Sequence, residues 1–247
     1  MVSFEVVQRR SLSDAVFEQL RGGILSGELA AGSSLPAERE LAVELGVNRS
    51  AVREALKRLQ QLRLVAIRQG ESTRVLDYRH TGGLELLVSM LFRTDGGLHL
   101  EVARGLVEMR GALGPDIAGR AALRRSDDQA ADLGERLSVF EACSADDLVA
   151  REAASFELWR LLVEASDNLA YQLAFNTMER VWGSIREVLA PTLAPELSDS
   201  RRYRKLVAAV VAGDDVGARR LATQLVTKGT EAVVALVEGL SEQGGPR

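Results

Sequence analysis

Residues 46–59 read GVNRSAVREALKRL, and this stretch combines a helical pattern of apolar residues with a strong positive charge. At 3.6 residues per turn, four apolar side chains fall within an arc of about 100°. They are Val52, Ala55, Leu56 and Leu59. The remaining surface carries four basic side chains. These are Arg49, Arg53, Lys57 and Arg58. The stretch is therefore predicted to be an amphipathic helix with a cationic exposed face.

The positive charge is confined to one part of the sequence. The chain of 247 residues has a formal net charge of -4, yet residues 49–76 contain seven arginine or lysine residues and only two glutamates. A basic patch on an acidic protein indicates an anionic partner that docks in one orientation. A solvated helix face is the alternative explanation for the charge cluster taken alone.

The composition is that of a globular protein with an aliphatic core. Hydrophobic residues make up 46% of the chain and aromatic residues 4%, and the length favours two domains. The single cysteine, Cys143, excludes an internal disulfide framework and fits a reducing compartment. The sequence shows neither a signal peptide nor an apolar run of the ~18 residues that a membrane span needs. We therefore expect a cytoplasmic protein that does not bind membranes.

The segments before the basic helix predict a helix-turn-helix motif. Pro36 is suited to the first turn of a helix, and the apolar residues after it have helical spacing. Gly46 then permits a tight turn, and Asn48 can cap the basic helix. Two helices joined in this way are typical of DNA-binding proteins, which places the motif at residues 38–57.

A short hairpin is predicted after the basic helix, with Gly70 at its tip. The hairpin makes the unit a winged helix-turn-helix domain, predicted over residues 1–78, and a tip without a side chain can approach DNA closely. Arg49 lies in the first turn of the basic helix, where a recognition helix contacts base edges. Asn48 and Ser50 can share a phosphate at the helix N-terminus.

Residues 79–247 are predicted to form an all-α helical bundle. Several predicted helices are apolar nearly all round, which indicates a buried centre. The predicted helices span residues 82–93, 98–124, 127–142, 145–166, 168–189, 199–212 and 215–240. The predicted fold is therefore mainly α, with an N-terminal winged helix-turn-helix domain and a C-terminal all-α bundle.

Residues 35–59, LPAERELAVELGVNRSAVREALKRL, resemble the GntR family of bacterial transcription regulators. The resemblance lies in the Leu-Pro-x-Glu-Arg-Glu-Leu-Ala opening, the Gly-Val-x-Arg turn and the Val-Arg-Glu-Ala-Leu run. The second domain is similar to that of the FadR branch, through residues 107–123, the EASDNLAYQL segment at 164–173 and the Gly-Asp turn within 208–219.

The resemblance implies a two-fold dimer that reads a short palindromic operator. It also implies which residues contact the DNA. They are Arg39, Asn48, Arg49, Ser50 and Arg53, with Gln69 and Gly70 of the wing. Residues 79–247 would then form the effector-binding and dimerisation domain, and the protein would be a repressor controlled by a small molecule.

The resemblance also bears on metal binding. Many FadR-branch domains bind a divalent metal through an Asp-x-x-x-His pair and two later histidines. Alignment on neighbouring motifs places Ser155 at the Asp position, Trp159 at the first His position and Tyr203 at the second. The chain has two histidines, His80 and His99, and both lie far upstream. Three imidazoles and a carboxylate cannot be assembled from these residues. We expect no metal and no other cofactor.

The prototype of the branch also lacks the metal ligands and binds long-chain acyl-CoA. The resemblance therefore implies a fatty acyl-CoA or fatty acid effector in lipid metabolism, with Arg110 as anchor for its anionic group. Trp159 and Tyr203 would line the pocket, or else belong to the core.

Alternatives remain open. The effector could be an organic acid of another pathway, bound without metal, or the protein could bind DNA with no effector at all. An enzyme is not expected, because the sequence offers no nucleophile–base pair and almost no histidine.

Overall fold

A computed structural model describes residues 11–68, 72–92 and 97–243 of the chain. It divides into two compact units, residues 1–97 and 98–247. The sequence places the domain boundary earlier, after residue 78. The difference arises because the segment after residue 78 packs on the N-terminal core through Leu86, which is buried there.

The N-terminal unit has the helix order of a winged helix-turn-helix domain. Its elements are α1 (Leu12–Ser26), α2 (Glu38–Glu44), α3 (Arg49–Gln61), β1 (Val65–Ala66), β2 (Arg74–Val75), α4 (Tyr78–Thr81) and α5 (Glu85–Met90). The two strands are antiparallel and place Val65 opposite Val75. They form the base of the predicted hairpin, and the fold class predicted for this part of the chain is confirmed.

The basic helix α3 packs through the face that its sequence pattern predicts. All four predicted core residues are at most 1% exposed. They are Val52, Ala55, Leu56 and Leu59. Burial of each valine or leucine side chain stabilises the fold by roughly 1.5–3 kcal/mol. This apolar face fixes which side of α3 is presented to solvent.

Local turn chemistry fixes where α3 begins. Gly46 has a φ of 63°, a left-handed conformation that glycine adopts without strain. The Asn48 side chain then caps α3, since its Oδ1 accepts the Ala51 N–H at 2.8 Å. The predicted turn and cap are both present, and they set Arg49 as the first residue of the helix.

The regular elements in the described residues of the C-terminal unit are all helices. Its elements are α6 (Leu100–Arg124), α7 (Asp127–Ala142), α8 (Leu148–Ala165), α9 (Leu169–Thr192), α10 (Ala194–Leu197), α11 (Ser200–Val211) and α12 (Asp215–Gln243). The long helices α6 and α12 pack along each other, and α8 contacts α6, α7 and α9. The predicted all-α bundle is confirmed. In the part of the chain that the structure describes, no helix is both long and apolar enough to cross a membrane.

Candidate functional site

The exposed face of α3 carries basic side chains in its first two turns. Arg49 and Arg53 are exposed, as is Ser50 between them, and Arg39 is exposed on α2. Within residues 11–68, 72–92 and 97–243, neither Arg39 nor Arg49 forms an ion pair. Their guanidinium groups are therefore available to an anion.

Arg53 differs from these two residues in having a protein partner. Its guanidinium donates to the Glu38 carboxylate at 3.3 Å, and its side chain is 58% exposed. An exposed ion pair of this kind contributes about 0–1 kcal/mol. A phosphate or a base edge can therefore replace Glu38 at little cost.

Arg58 has a structural role that its sequence pattern does not reveal. Its guanidinium donates to Asp14 on α1 at 2.5 Å and lies 4.0 Å from the centre of the Phe17 ring. Hydrogen bonds from Ser11 and Arg58 hold the pKa of Asp14 below its ordinary value. Arg58 therefore ties α3 to α1 and is not part of the free cationic surface.

The remaining predicted DNA contacts fall into two groups. Asn48 is exposed, and its Oδ1 is occupied by the helix cap, which leaves the Nδ2 amide to donate to a partner. Gln69 and Gly70 lie outside the described residues. Their contact with DNA stays a prediction.

A second candidate site is a cavity of about 50 Å³ inside the C-terminal unit, lined by residues of α6, α8, α9, α10 and α12. Seven lining residues carry polar side-chain atoms. They are Arg110, Glu152, Ser155, Trp159, Tyr171, Trp182 and Glu196. The rest of the lining is apolar. It comprises Leu113, Gly114, Ile117, Phe156, Phe175, Met178, Leu193, Leu197 and Val226.

Arg110 reaches this cavity but is already paired. One guanidinium nitrogen donates to Glu196 Oε2 at 2.9 Å, and a second N–H donates to Glu196 Oε1. Burial opposes the charge on Arg110, yet the Glu196 carboxylate outweighs it and holds the pKa of Arg110 above its ordinary value. An anionic ligand would have to compete with Glu196 for this side chain.

Glu152 forms the second ion pair at the cavity. It is 3% exposed and accepts from Arg186 of α9. Burial raises the pKa of Glu152 above its ordinary value, and the Arg186 guanidinium opposes this only in part. The lining therefore contains two buried carboxylates, each with its own arginine.

Trp159 contributes a polar atom with no partner. The side chain is 7% exposed, and its indole Nε1 is buried without a hydrogen-bond acceptor among the described residues. A buried donor left unpaired costs about 1–3 kcal/mol.

Tyr203 lies behind the lining and is fully buried. Its hydroxyl shares a 2.7 Å hydrogen bond with Ser155 and donates to Glu196 at 3.2 Å. Burial and the Glu196 carboxylate raise the pKa of Tyr203, so its hydroxyl stays neutral. Of the three predicted effector residues, Arg110 and Trp159 reach the cavity, and Tyr203 holds two lining side chains in place.

The sequence did not indicate that Glu152 and Glu196 belong to this site. Glu196 is 86 residues from Arg110 along the chain, so no local pattern joins them. The three residues aligned with metal ligands lie close together in the structure. The Ser155 and Tyr203 hydroxyl groups are hydrogen-bonded, and Trp159 lies one turn after Ser155 on α8. Among the described residues, no group of three or more His, Cys, Asp or Glu is placed to hold a metal ion.

Asp116 links the cavity to three helices. Its carboxylate accepts from Arg120 at 2.5 Å, from the Tyr171 hydroxyl at 2.7 Å and from Arg219 on α12. These hydrogen bonds, Arg219 first, hold the pKa of Asp116 well below its ordinary value. Because Tyr171 lines the cavity, the Asp116 cluster connects the lining to α6, α9 and α12.

Replacing Asp116 by asparagine is expected to lower the free energy of unfolding at pH 7 by about 1–2 kcal/mol. A carboxylate whose pKa is lower in the folded state stabilises the fold above its unfolded pKa, near pH 4, and loses that contribution as the pH falls further. The difference between wild type and variant should therefore shrink between pH 4 and pH 2. Urea unfolding at several pH values measures this, and a difference that stays constant would contradict it.

Two family models match the two units of the chain. The model described as bacterial regulatory proteins, gntR family, matches residues 12–75, which contain α1 to β2. The FCD domain model matches residues 105–228, about half of the chain. The chain belongs to the GntR family. It is a DNA-binding transcription regulator with an N-terminal helix-turn-helix domain and a C-terminal FCD domain.

Relatives in the GntR family match along most of this chain. The HTH-type transcriptional regulator Mce2R of Mycobacterium tuberculosis is 34% identical over 236 residues, which cover 96% of this chain and 97% of the relative. The putative L-lactate dehydrogenase operon regulatory protein of Escherichia coli is 29% identical, with 87% and 83% covered. The fatty acid metabolism regulator protein of Enterobacter sp. is 29% identical, with 73% of each chain covered.

A solved structure shows the same fold. Lar of Listeria monocytogenes superposes with a TM-score of 0.52 at 20% identity, over 93% of this chain and all of the other. One relative is named for an L-lactate dehydrogenase operon and another for fatty acid metabolism, so their names do not decide which effector this protein binds.

Proposed function

We propose that this GntR-family protein is a repressor that binds a palindromic operator as a homodimer and responds to a small molecule in its C-terminal unit. The observation that carries the proposal is the position of Arg49. It is exposed, free of ion pairs among the described residues, and located in the first turn of a helix whose start is fixed by the Asn48 cap.

The DNA-binding half of the proposal follows from the dimensions of α3. A helix fits the major groove of B-DNA, where arginine can donate to guanine O6 and N7. Arg49 would contact a base edge, and Arg39 and Arg53 would contact bases or phosphates. Asn48 and Ser50 would share a phosphate at the helix N-terminus, where the unpaired backbone N–H groups attract anions. Gln69 and Gly70 would add contacts from the wing.

The regulatory half rests on the cavity. A cavity with mainly apolar walls and a few convergent polar groups is the usual form of a ligand site. A ligand that binds one spacing of the two DNA-binding units better than another changes operator affinity, because half-sites have a fixed spacing. The proposed compartment is the cytoplasm, where bacterial operators are found.

Fatty acids and their CoA esters are the first effector candidates, as the resemblance to the FadR branch implies. The apolar walls support an acyl chain. A cavity of about 50 Å³ holds on the order of four water molecules, so a long chain would have to displace lining side chains. A metal-independent organic acid is the second candidate.

The test is selection of an operator from randomised duplex DNA with the full-length protein. We expect a palindromic site that is bound at least about a thousandfold more tightly than bulk DNA at physiological salt. Added fatty acids, acyl-CoA esters or organic acids should then change operator affinity, and a promoter fusion would give the sign of regulation. Equal binding to all sequences would contradict the DNA-binding half. A selective operator that no compound affects would contradict the regulatory half.

A further inference from the structure

One face of α8 turns two polar side chains and two aromatic rings toward the cavity. Glu152, Ser155, Phe156 and Trp159 all line it. They follow one another at the spacing i, i+3, i+4 and i+7, which places residues on one side of a helix. Glu152 is 3% exposed and Ser155 is 5% exposed. The Glu152 carboxylate is therefore a buried anion on the side of α8 that faces the cavity.

One oxygen of this carboxylate is open to a hydrogen-bond donor. Oε2 of Glu152 accepts from Arg186, whereas Oε1 accepts from no residue that the structure describes. Oε1 also keeps accessible surface. In the described ranges, the side-chain atoms that are both fully buried and unpaired are Arg21 Nε and Trp159 Nε1, so Glu152 Oε1 is not among them. Because Glu152 lines the cavity and is otherwise buried, a donor inside the cavity can reach this oxygen.

Ser155 offers a second acceptor beside it. The Tyr203 hydroxyl has one proton, which it donates to Glu196 at 3.2 Å, so Ser155 is the donor in the 2.7 Å hydrogen bond between Ser155 and Tyr203. The Ser155 oxygen keeps its lone pairs, one turn after Glu152 on the same face of α8. A group with several donors can therefore bind both acceptors at once.

The charges of the lining favour a cation over an anion. Glu152 and Glu196 contribute two carboxylates, and Arg110 is the one cation among the residues that line the described cavity. Arg110 donates to both oxygens of Glu196, which compensates that charge. Glu152 is compensated less fully, because the side chain of its partner Arg186 is 34% exposed to solvent, and burial still raises the pKa of Glu152 above its ordinary value. The cavity thus keeps negative charge at Glu152, and an added anion would be strongly disfavoured there.

The remaining walls suit an organic cation. Aromatic rings attract cations through their electron-rich faces, and groups of such rings are a known binding site for organic ammonium ions. Two of the rings in this lining already have an arginine guanidinium near the ring centre, at 6.0 Å and 5.8 Å. Five aromatic side chains line the cavity. They are Phe156, Trp159, Tyr171, Phe175 and Trp182.

We infer that the cavity binds a small primary alkylammonium ion, whose N–H groups donate to Glu152 Oε1 and Ser155 Oγ while its alkyl chain packs against the aromatic walls. A cavity of about 50 Å³ has room for about four or five non-hydrogen atoms. The inference rests on the proposed function, because it takes the cavity as the effector site. It departs from the acidic effectors that the resemblance implies, because the uncompensated charge of the lining is negative.

The experiment compares three series of compounds with the same carbon chains. The probes are the chloride salts of ethyl- to pentylammonium, the 1-alkanols of equal length and the sodium salts of the corresponding carboxylic acids, all at pH 7.5 and constant ionic strength. Binding to the full-length protein is measured by calorimetry and by tryptophan fluorescence, because both tryptophans of the chain line the cavity. We expect at least one alkylammonium ion to bind about tenfold or more tightly than its alkanol and its carboxylate, since hydrogen bonds between charged groups are the stronger ones.

Two variants separate the charge of Glu152 from the shape of the cavity. Glu152→Gln keeps the size of the side chain and removes its negative charge, so it should weaken alkylammonium binding by about tenfold or more and leave alkanol binding within about threefold. Glu157→Gln is the matched control. It removes the same charge from α8, at a side chain that is 46% exposed and paired with Arg136, and it should change both affinities by less than about twofold. If Glu152→Gln is unstable, the order of the three series in the wild-type protein still tests the inference.

Four results would overturn the inference. They are tighter binding of the carboxylates, equal binding of alkylammonium ions and alkanols, unchanged alkylammonium affinity in Glu152→Gln, and no binding of any of the three series. Operator affinity is measured in parallel, so that the inference and the proposed function can fail separately. Alkylammonium ions that bind at Glu152 without changing operator affinity would refute the regulatory proposal and leave the inference standing. An acid that binds the C-terminal unit and changes operator affinity, where no alkylammonium ion binds, would do the reverse.

Discussion

Replacing Arg49 and Arg53 together by alanine is expected to weaken operator binding by about 100- to 1,000-fold, since each arginine contact to a base edge or phosphate contributes about 1–3 kcal/mol. Both side chains are exposed on α3, so the variant should fold normally. Loss of the Arg53–Glu38 ion pair costs at most about 1 kcal/mol. Binding is measured by titration of the selected operator at two salt concentrations.

The salt dependence of this variant distinguishes base contacts from phosphate contacts. The logarithm of the binding constant falls linearly with the logarithm of the salt concentration, and losing one phosphate contact makes this slope shallower by about one. Such a loss weakens binding to all DNA sequences alike. A lost base contact also lowers the preference for the operator over other DNA. We expect Arg49→Ala alone to reduce that preference.

The matched control is Arg201→Ala. It removes one positive charge, as each single substitution on α3 does, from an exposed position on α11 in the other unit, and should leave operator affinity within about twofold. If the double variant bound the operator as tightly and selectively as the wild type, the assignment of α3 as the recognition helix would be wrong.

Replacing Arg110 by methionine is expected to lower the free energy of unfolding of the C-terminal unit by about 3–5 kcal/mol. Glu196 is 1% exposed, and without Arg110 its charge would keep only the Tyr203 hydroxyl as a side-chain partner among the described residues. Removing one member of a buried ion pair leaves the other charge uncompensated, which is why the effect is large. Tryptophan fluorescence during urea unfolding measures it, because both tryptophans lie in this unit.

Two further variants test the cause of this loss. Arg136→Ala removes an exposed arginine whose ion pair with Glu157 spans 2.9 Å, and it should cost less than about 1 kcal/mol. Combining Arg110→Met with Glu196→Leu removes both buried charges and should recover much of the lost stability. A loss below about 1 kcal/mol in Arg110→Met would show that Glu196 finds another partner or takes up a proton.

The sequence was sufficient for features that depend on near neighbours along the chain. The helical spacing of its apolar residues predicted α3 and its buried face. The turn at Gly46 and the cap at Asn48 predicted where α3 begins. The series of helices after residue 97 followed from the same periodicity. These features depend on hydrogen bonds and side-chain packing within a few residues, so the local sequence contains the information that sets them.

Contacts between distant residues were not predictable from these patterns. Arg58 looked like a free surface charge, yet it binds Asp14, 44 residues away. Arg110 looked like an anion anchor, yet Glu196 occupies it. The N-terminal unit extends beyond residue 78 because Leu86 finds its place in that core. In each case the sequence contains many carboxylates or apolar residues that could have been the contact. Which of them lies next to the side chain is set by the packing of the helices.

The sequence alone thus determined the class of protein: a helix-turn-helix regulator in which one short segment encodes the basic helix α3, its Asn48 cap and its exposed arginines. The tertiary structure decided the character of the C-terminal cavity. It brought two buried carboxylates to two arginines, and among the described residues it left the Trp159 indole without an acceptor. The physical reason is that helix formation is local, whereas the charge and hydrogen-bonding state of a buried side chain depends on which distant groups share its low-dielectric surroundings.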